Sequence, residues 1–145
     1  MSQKPFQFKQ FKVHQDRCAM KIGTDGVILG AWSSIEHEPQ SILDIGTGTG
    51  IIALQLAQRS SAGTIDAIEI DEQAHEQCTH NFEHSSWADR LFCYHGSVQE
   101  FASEMEHKYD LIVSNPPFFK APKGIDAQRV RTSQERALAR FTDIL

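Results

Sequence analysis

The segment Asn115-Pro116-Pro117-Phe118 combines residue types that suit chemistry on a planar amine. It follows an apolar run at 110–114 that predicts a buried strand, and its two prolines stiffen the loop. The amide oxygen of Asn115 and the carbonyl oxygen of Pro116 could accept both N–H groups of an exocyclic amine, drawing its lone pair out of conjugation. Phe118 could stack on the ring that carries the amine. We therefore expect Asn115, Pro116 and Phe118 to be catalytic.

The residues after this tetrapeptide favour a substrate that carries phosphate groups. Residues 1–116 hold 8 basic and 16 acidic side chains, whereas 117–145 hold 6 and 3. This change of sign favours RNA contact over an ordinary solvated loop. Pro117 completes the expected substrate surface, and Phe119 is explained equally well by packing. The basic side chains assigned to substrate binding are Lys120, Lys123, Arg129 and Arg131.

A glycine-rich loop, Asp44-Ile-Gly-Thr-Gly-Thr-Gly50, is expected where one strand meets the next helix. Its three glycines permit positive φ angles and close backbone approach, and a helix N-terminus offers N–H groups to an anion. Glu69 follows at the end of the second predicted strand, where a carboxylate can accept both hydroxyls of a ribose. A ligand that joins adenosine to an amino-acid tail would satisfy both the ribose site at Glu69 and the anion site at the glycine loop. The sequence therefore predicts S-adenosylmethionine. The cofactor residues expected from these patterns are Asp44, Gly46, Gly48, Gly50, Glu69 and Asn115.

Three further features allow a structural and a functional interpretation. Asp71 is better placed to cap the next helix than to bind a second ribose hydroxyl. Ser97 begins a capping box with Glu100, yet it also follows the third strand, where an adenine ring would be recognised. One predicted helix carries four potential metal ligands, but nothing completes the set and we expect no metal. These four are His75, Cys78, His80 and His84.

Alternating β-branched runs and helical patterns predict one α/β domain built on a parallel sheet. The expected strands are 41–45, 64–70, 91–94 and 110–114, with helices at 51–59, 72–84, from Ser97, and at 134–140. Residues 41–145 would form this core, preceded at 1–40 by a hairpin at 6–13 and one helix. Thr24 would cap that helix, which ends before Pro39. Its expected buried stripe is Val27, Ile28, Ala31, Trp32 and Ile35.

Composition bounds the remaining possibilities. A chain of 145 residues with 40% hydrophobic residues is expected to bury one core. No apolar run approaches the roughly 20 residues of a membrane span, and the first residues lack a signal-peptide pattern. Cys18, Cys78 and Cys93 match neither a disulfide framework nor a zinc ribbon. We expect a soluble, cytoplasmic protein with no membrane partner.

Three motifs resemble those of a known enzyme class. The segments 44–50 and 115–118, together with Glu69, resemble motifs I, II and IV of the class I amino-methyltransferases. More narrowly, Phe8-Lys-Gln-Phe, Met20-Lys-Ile-Gly-Thr-Asp-Gly-Val-Ile-Leu-Gly-Ala-Trp and Asn115-Pro-Pro-Phe-Phe-Lys resemble the bacterial tRNA(Val) adenine N6-methyltransferases. Those enzymes modify the adenine next to the anticodon.

That resemblance implies a Rossmann-like sheet with strand order 3-2-1-4, helices on both faces, S-adenosylmethionine as cofactor and tRNA as partner. It also implies that Lys21 and Thr24 lie at the methionine end of the cofactor, although a helix cap explains Thr24 equally well. Glu69 would hold the ribose, and Asn115 with Pro116 would receive the target amine.

The family continues with a fifth strand and a terminal hairpin, so a C-terminally truncated chain is expected. Two other functions fit some of these residues. A protein glutamine N5-methyltransferase of the release-factor type needs the same two acceptors, but it does not explain the basic residues of 120–131. A fragment that binds cofactor or RNA without turnover is the other alternative.

Overall fold

The predicted alternation of strands and helices is present in the computed structural model, which describes residues 4–18, 22–104 and 108–115. The elements are β1 Phe6–Gln7, β2 Lys12–Val13, α1 Thr24–Trp32, β3 Ser41–Ile45, α2 Ile51–Arg59, β4 Thr64–Glu69, α3 Glu72–Glu83, β5 Leu91–His95, α4 Val98–Glu104 and β6 Leu111–Ser114. Outside α1, strand and helix bounds agree with the expected ones to within a residue where both are described, whereas α1 ends at Trp32 and does not reach the predicted Ile35. The helix predicted at 134–140 lies outside the described residues.

Strands β3 to β6 form one parallel sheet in the order β5-β4-β3-β6, which confirms the predicted order 3-2-1-4. Ile42 of β3 pairs with Ile65 on one side and Leu111 on the other. Because all four strands run the same way, their carboxyl ends meet at one edge of the sheet. That edge carries Glu69 and Asn115.

Helices cover both faces of the sheet. One face packs against α2, α3 and part of α1, in a cluster that includes Ile42, Leu54 and Phe82. The other face, with Leu43, Ile45 and Ile68, packs against Phe101 of α4 and its neighbours. Burial on both faces explains why β3 is apolar apart from Ser41 at its start and Asp44.

Strands β1 and β2 pair antiparallel and confirm the predicted hairpin. Phe11 and Val13 are buried in the core, whereas Phe6 is exposed. Phe8 stacks on Phe11 at a centroid distance of 4.5 Å, and Phe11 meets the edge of Trp87 at 5.7 Å. The hairpin is therefore fixed to the domain through its aromatic face.

Val27 and Ile35 of the predicted stripe pack half-buried against the core, but the stripe as a whole is not the buried face of α1. Its buried residues are Gly26 and Gly30, while Ile28 is 54% exposed and Trp32 is 83% exposed. Two glycines one turn apart give the helix a smooth face, so its backbone approaches α2 more closely than a row of large side chains would allow. Thr24 is the first helical residue rather than the cap; Gly23 occupies the N-cap position without a side-chain bond.

Candidate active site

The loop between β3 and α2 depends on glycine for two different reasons. Gly46, Gly48 and Gly50 all have positive φ, at 67°, 56° and 87°. A Cβ on Gly50 would lie 2.7 Å from a ring carbon of Phe82 and 3.0 Å from the sulfur of Cys78. A Cβ on Gly46 or Gly48 would meet no described heavy atom within 4 Å. Packing on α3 thus requires Gly50, whereas Gly46 and Gly48 border open space at the carboxyl edge.

Four backbone N–H groups of this loop have acceptors inside the chain, and one of them is that of Gly50, which donates to the carbonyl of Thr47 at 2.9 Å. Gly46 and Thr47 donate to the carbonyl of Ile68 at 2.9 and 3.1 Å. Gly48 donates to Oε2 of Glu69 at 2.8 Å. These N–H groups precede the N-terminus of α2, whose own N–H groups are the ones expected to face an anion, and that expectation stays a prediction. The loop presents bare glycine backbone, held against β4.

Asp44 lies beneath the loop rather than on its surface. Its side chain is fully buried, and the hydroxyl of Thr47 donates to its Oδ2 at 2.8 Å. Burial raises the pKa of Asp44 to about 7, and the Glu69 charge adds to this rise; Thr47 and the N–H of Ala53 in the first turn of α2 lower the pKa. The structure therefore places Asp44 as an internal support of the loop and of the α2 N-terminus.

Glu69 ends β4 beside the glycine loop. Its Oε2 accepts from Gly48, and its Oε1 accepts from the N–H of Asp71 at 3.2 Å. Asp71 caps α3 by accepting from the N–H of Ala74 at 2.9 Å, which confirms its interpretation as an N-cap. Ile70 lies between the two acids and is 70% exposed. This apolar side chain was not identified from the sequence as a site residue. Its position directly after the acid that ends a strand could have indicated it.

Ser97 begins α4 in the predicted capping box. Its Oγ accepts from the N–H of Glu100 at 3.1 Å, while its own N–H donates to Oε2 of Glu100 at 3.3 Å. The preceding Gly96 donates to the carbonyl of Glu69 at 3.0 Å. Ser97 is thus a confirmed helix cap at the same edge as Glu69, and its expected contact with an adenine stays a prediction.

Asn115 follows β6 and lies beside the beginning of α1. Its Nδ2 would be 3.6 Å from a Cβ on Gly26, and a methyl group of Ile51 would lie equally close to that Cβ. Because β6 pairs with β3, Asn115 sits next to the glycine loop. Thr24, one helical position before Asp25 and two before Gly26, is exposed at the same end of α1. The structure places Asn115 beside Gly26, and the roles expected for Asn115 and Thr24 at the cofactor stay predictions.

Two polar residues of α2 hold α1 in place, and sequence reasoning missed both. Gln55 is buried, and its Nε2 donates to the carbonyl of Gly26 at 3.3 Å. Nη1 of Arg59 donates to the carbonyls of Gly30 and Ser33 at 2.8 and 2.9 Å, which satisfies the C-terminal end of α1. Their partners are backbone carbonyls of another helix, which a residue pattern does not show.

The remaining predicted site residues lie outside the described part of the chain. They are Lys21, Pro116, Pro117, Phe118, Phe119, Lys120, Lys123, Arg129 and Arg131. Within the described part, no group of three or more His, Cys, Asp or Glu side chains is arranged to hold a metal ion. No helix among those same residues has the length and apolar character that crossing a membrane requires.

Comparison of the sequence with known families and proteins gives close matches. The family described as "Methyltransferase small domain" matches residues 30–138. A Christiangramia forsetii protein named "tRNA1(Val) (adenine(37)-N6)-methyltransferase" is 62% identical over 148 residues, covering 100% of this chain and 59% of that protein. A Flavobacterium psychrophilum protein of the same name is 61% identical over 141 residues, covering 97% and 57%. The chain therefore spans somewhat over half the length of these relatives.

Solved structures resemble the chain in fold. Arabidopsis thaliana protein arginine methyltransferase 10 has a TM-score of 0.53 and 25% identity, over 63% of this chain and 25% of that one. An O-methyltransferase from Bacillus cereus, solved in complex with SAH, has a TM-score of 0.56 and 23% identity, over 67% and 46%.

Proposed function

The chain belongs to the methyltransferase small domain family and has a Rossmann-like class I methyltransferase fold, and from that premise we propose that it transfers a methyl group from S-adenosylmethionine to the exocyclic N6 of an adenine in tRNA. The names of relatives 45 to 62% identical support adenine 37 of tRNA1(Val) as the target. The observation that carries the proposal is the meeting of Asn115, the glycine loop and Glu69 at one edge of the sheet.

The residues at this edge fit S-adenosylmethionine. The carboxylate of Glu69 faces the loop at the end of β4, where its lone pairs suit two ribose hydroxyls. Open space above Gly46 and Gly48 leaves room for a chain that runs along the backbone. Exposed Ile70 offers an apolar surface for a purine ring. When bound, this cofactor supplies a methyl group on a sulfonium.

Asn115 is the described residue that orients the amine. Its amide oxygen accepts one N–H of the target nitrogen, and we assign the second N–H to the carbonyl of Pro116. Holding both N–H groups directs the nitrogen lone pair away from the ring and toward the methyl group. The proton leaves after positive charge has developed on nitrogen, so the mechanism requires no strong base. We assign the stacking of the base to Phe118.

The proposal is tested with labelled S-adenosylmethionine and unmodified total tRNA, followed by nucleoside analysis. Wild-type chain is expected to form N6-methyladenosine. Asn115→Ala is expected to lower the rate by about 100-fold or more, a loss comparable to that of an oxyanion-hole donor. Its cofactor affinity should stay within about twofold of wild type.

A protein substrate that presents a glutamine side-chain amide is run in parallel. Methylation of this amide in place of tRNA would replace the proposed substrate with the release-factor type. Loss of both turnover and cofactor affinity in Asn115→Ala would contradict the role assigned to Asn115.

A further inference from the structure

Positive charge in the described part of the chain is concentrated at its N-terminal end. The described residues contain seven Lys and Arg, four of them within 4–18, whereas that segment holds one of the fifteen described Asp and Glu residues. The four are Lys4, Lys9, Lys12 and Arg17. We call them the hairpin cations. A segment of net positive charge on an otherwise acidic domain is the footprint of a polyanionic partner.

The other three described cations are placed differently. Arg59 donates to backbone carbonyls at the end of α1, and Arg90 donates to carbonyls near the end of α2. Both guanidinium groups therefore satisfy the protein's own backbone. Lys108 precedes β6 and lies at the amino edge of the sheet, opposite the edge that carries the candidate active site. Four of the seven described cations thus lie in one short segment, whereas Arg59 and Arg90 are engaged by the protein's own backbone.

The lysines among the hairpin cations are exposed on a rigid support. Lys4, Lys9 and Lys12 are all exposed. Arg17 forms an ion pair with Glu76 at 3.6 Å. Among the described residues, none of the three lysines forms an ion pair. The backbone beneath the lysines is fixed by the stack of Phe8 on Phe11 and by the packing of Phe11 on Trp87. A fixed backbone lowers the entropy that a partner must remove on binding.

Hydrogen bonds connect this hairpin to the candidate active site. The N–H of His14 donates to Oδ1 of Asn81 at 2.8 Å, and Nδ2 of Asn81 donates to the carbonyls of His14 and Thr49 at 2.9 and 2.8 Å. Thr49 belongs to the glycine loop. Lys12 is two residues from His14, so their backbones are at most about 7 Å apart. The basic segment is therefore joined to the glycine loop at its His14 end, while Phe11 packs on Trp87 in the connection before β5.

We infer that the hairpin cations form a docking surface for the phosphate backbone of the RNA substrate, an inference that rests on the proposed function and adds a binding surface to it. The assignment follows from charge complementarity, because RNA, the substrate of the proposed function, presents regularly spaced negative charge. Each lysine that neutralises a phosphate releases a bound counterion, which makes the affinity depend on salt.

The test measures the affinity of the whole chain for unmodified tRNA at several salt concentrations by fluorescence anisotropy. The variant is Lys4→Gln with Lys9→Gln and Lys12→Gln, and the matched control is Lys108→Gln. We expect the triple variant to bind tRNA about tenfold or more weakly at moderate salt. The plot of log affinity against log salt concentration should become shallower by roughly 2 to 3, because each lysine contributes about 0.7 to 0.9 to the steepness. Affinity for S-adenosylmethionine should not change, which also reports that the variant is folded.

Several results would contradict the inference that the hairpin cations bind RNA. These are an unchanged salt slope in the triple variant, a loss per lysine no greater than that of Lys108→Gln, and wild-type chain that does not bind tRNA. Methyl transfer separates this inference from the proposed function. If tRNA is methylated with the same KM by wild type and triple variant, the surface is wrong and the function stands. If tRNA binds through the lysines without being methylated, the surface stands and the function is wrong.

Discussion

Glu69 accepts a hydrogen bond from the N–H of Gly48 at 2.8 Å, so the acid that ends β4 is joined to the loop that follows β3. Its second oxygen accepts from the N–H of Asp71. Hydrogen bonds to a charged group contribute about 1.5 to 3 kcal/mol each. One carboxylate therefore fixes the relative position of two strand ends and retains lone pairs for a ligand.

Glu69→Gln is expected to lower the affinity for S-adenosylmethionine by about tenfold or more. The amide keeps one acceptor oxygen but replaces the other with a donor, so loop and ribose can no longer both be satisfied. Isothermal titration calorimetry measures the affinity. Asp71→Asn is the matched control, because asparagine caps helices as well as aspartate does. An equal loss in Asp71→Asn would make Asp71 a second ribose ligand.

Alanine at Gly48 and at Gly50 should have different effects. Both positions have positive φ, which costs a non-glycine residue about 1 to 2 kcal/mol. Gly48→Ala projects a methyl group into open space and should mainly weaken cofactor binding. Gly50→Ala also places a methyl group 2.7 Å from Phe82 and should cost roughly 1 to 3 kcal/mol more in stability. Urea unfolding measures both, and equal free energies of unfolding would contradict the packing role of Gly50.

The two buried glycines of α1 form a second matched pair. A Cβ on Gly30 would lie 2.2 Å from Nε2 of Gln55, whose displacement would break its bond to Gly26. Gly30→Ala should therefore destabilise the protein by about 1 to 3 kcal/mol. At Gly26 the nearest atoms would be 3.6 Å away, so alanine should be neutral or stabilise by up to about 1 kcal/mol through helix propensity. Thermal unfolding distinguishes the two, and similar melting temperatures would show that α1 does not pack through Gly30.

The raised pKa of Asp44 predicts a pH dependence of stability. The unfolded chain has the ordinary pKa of 3.8, whereas the folded value is about 7, so between these values the folded state binds more protons. The contribution of Asp44 to the free energy of unfolding is fully present below pH 3.8 and is lost as pH rises to about 7. The span corresponds to about 4 kcal/mol.

Asn at position 44 does not titrate, so Asp44→Asn provides the reference for that pH dependence. Chemical denaturation of both proteins between pH 4 and 8 should show the wild-type free energy falling relative to the variant. Parallel curves would mean that Asp44 titrates with an ordinary pKa in the folded protein. Glu69, whose charge raises the pKa, can be tested by adding Glu69→Gln, which should shift the midpoint of the wild-type curve downward.

The sequence predicted local structure best at positions where few residue types fit the required backbone conformation or cap. Strand-ending glycines with positive φ and an acid after the next strand predicted the loop and Glu69. Asp71 and the capping box at Ser97 were also correctly interpreted, because caps are local and depend on few residues.

The orientation of α1 could not be predicted from apolar periodicity. That method locates large side chains, and the buried face of α1 consists of Gly26 and Gly30, which have none. Gln55 and Arg59 were missed for a related reason: their partners are backbone carbonyls of another helix, which leave no trace in a residue pattern. Asp44 lies in the predicted strand 41–45. The residue pattern alone did not show that its carboxylate lies buried beneath the glycine loop.

Asn81 divides its amide between the backbone of His14 and the backbone of Thr49, and this has a thermodynamic consequence. A ligand that moves one of these backbones changes a hydrogen bond of the side chain that also holds the other, which offers a physical route for coupling between the two sides. Coupling between equilibrium affinities is reciprocal. Under the proposed function, the factor by which tRNA alters cofactor affinity must equal the factor by which cofactor alters tRNA affinity, and Asn81 hydrogen-bonds the backbone on both sides.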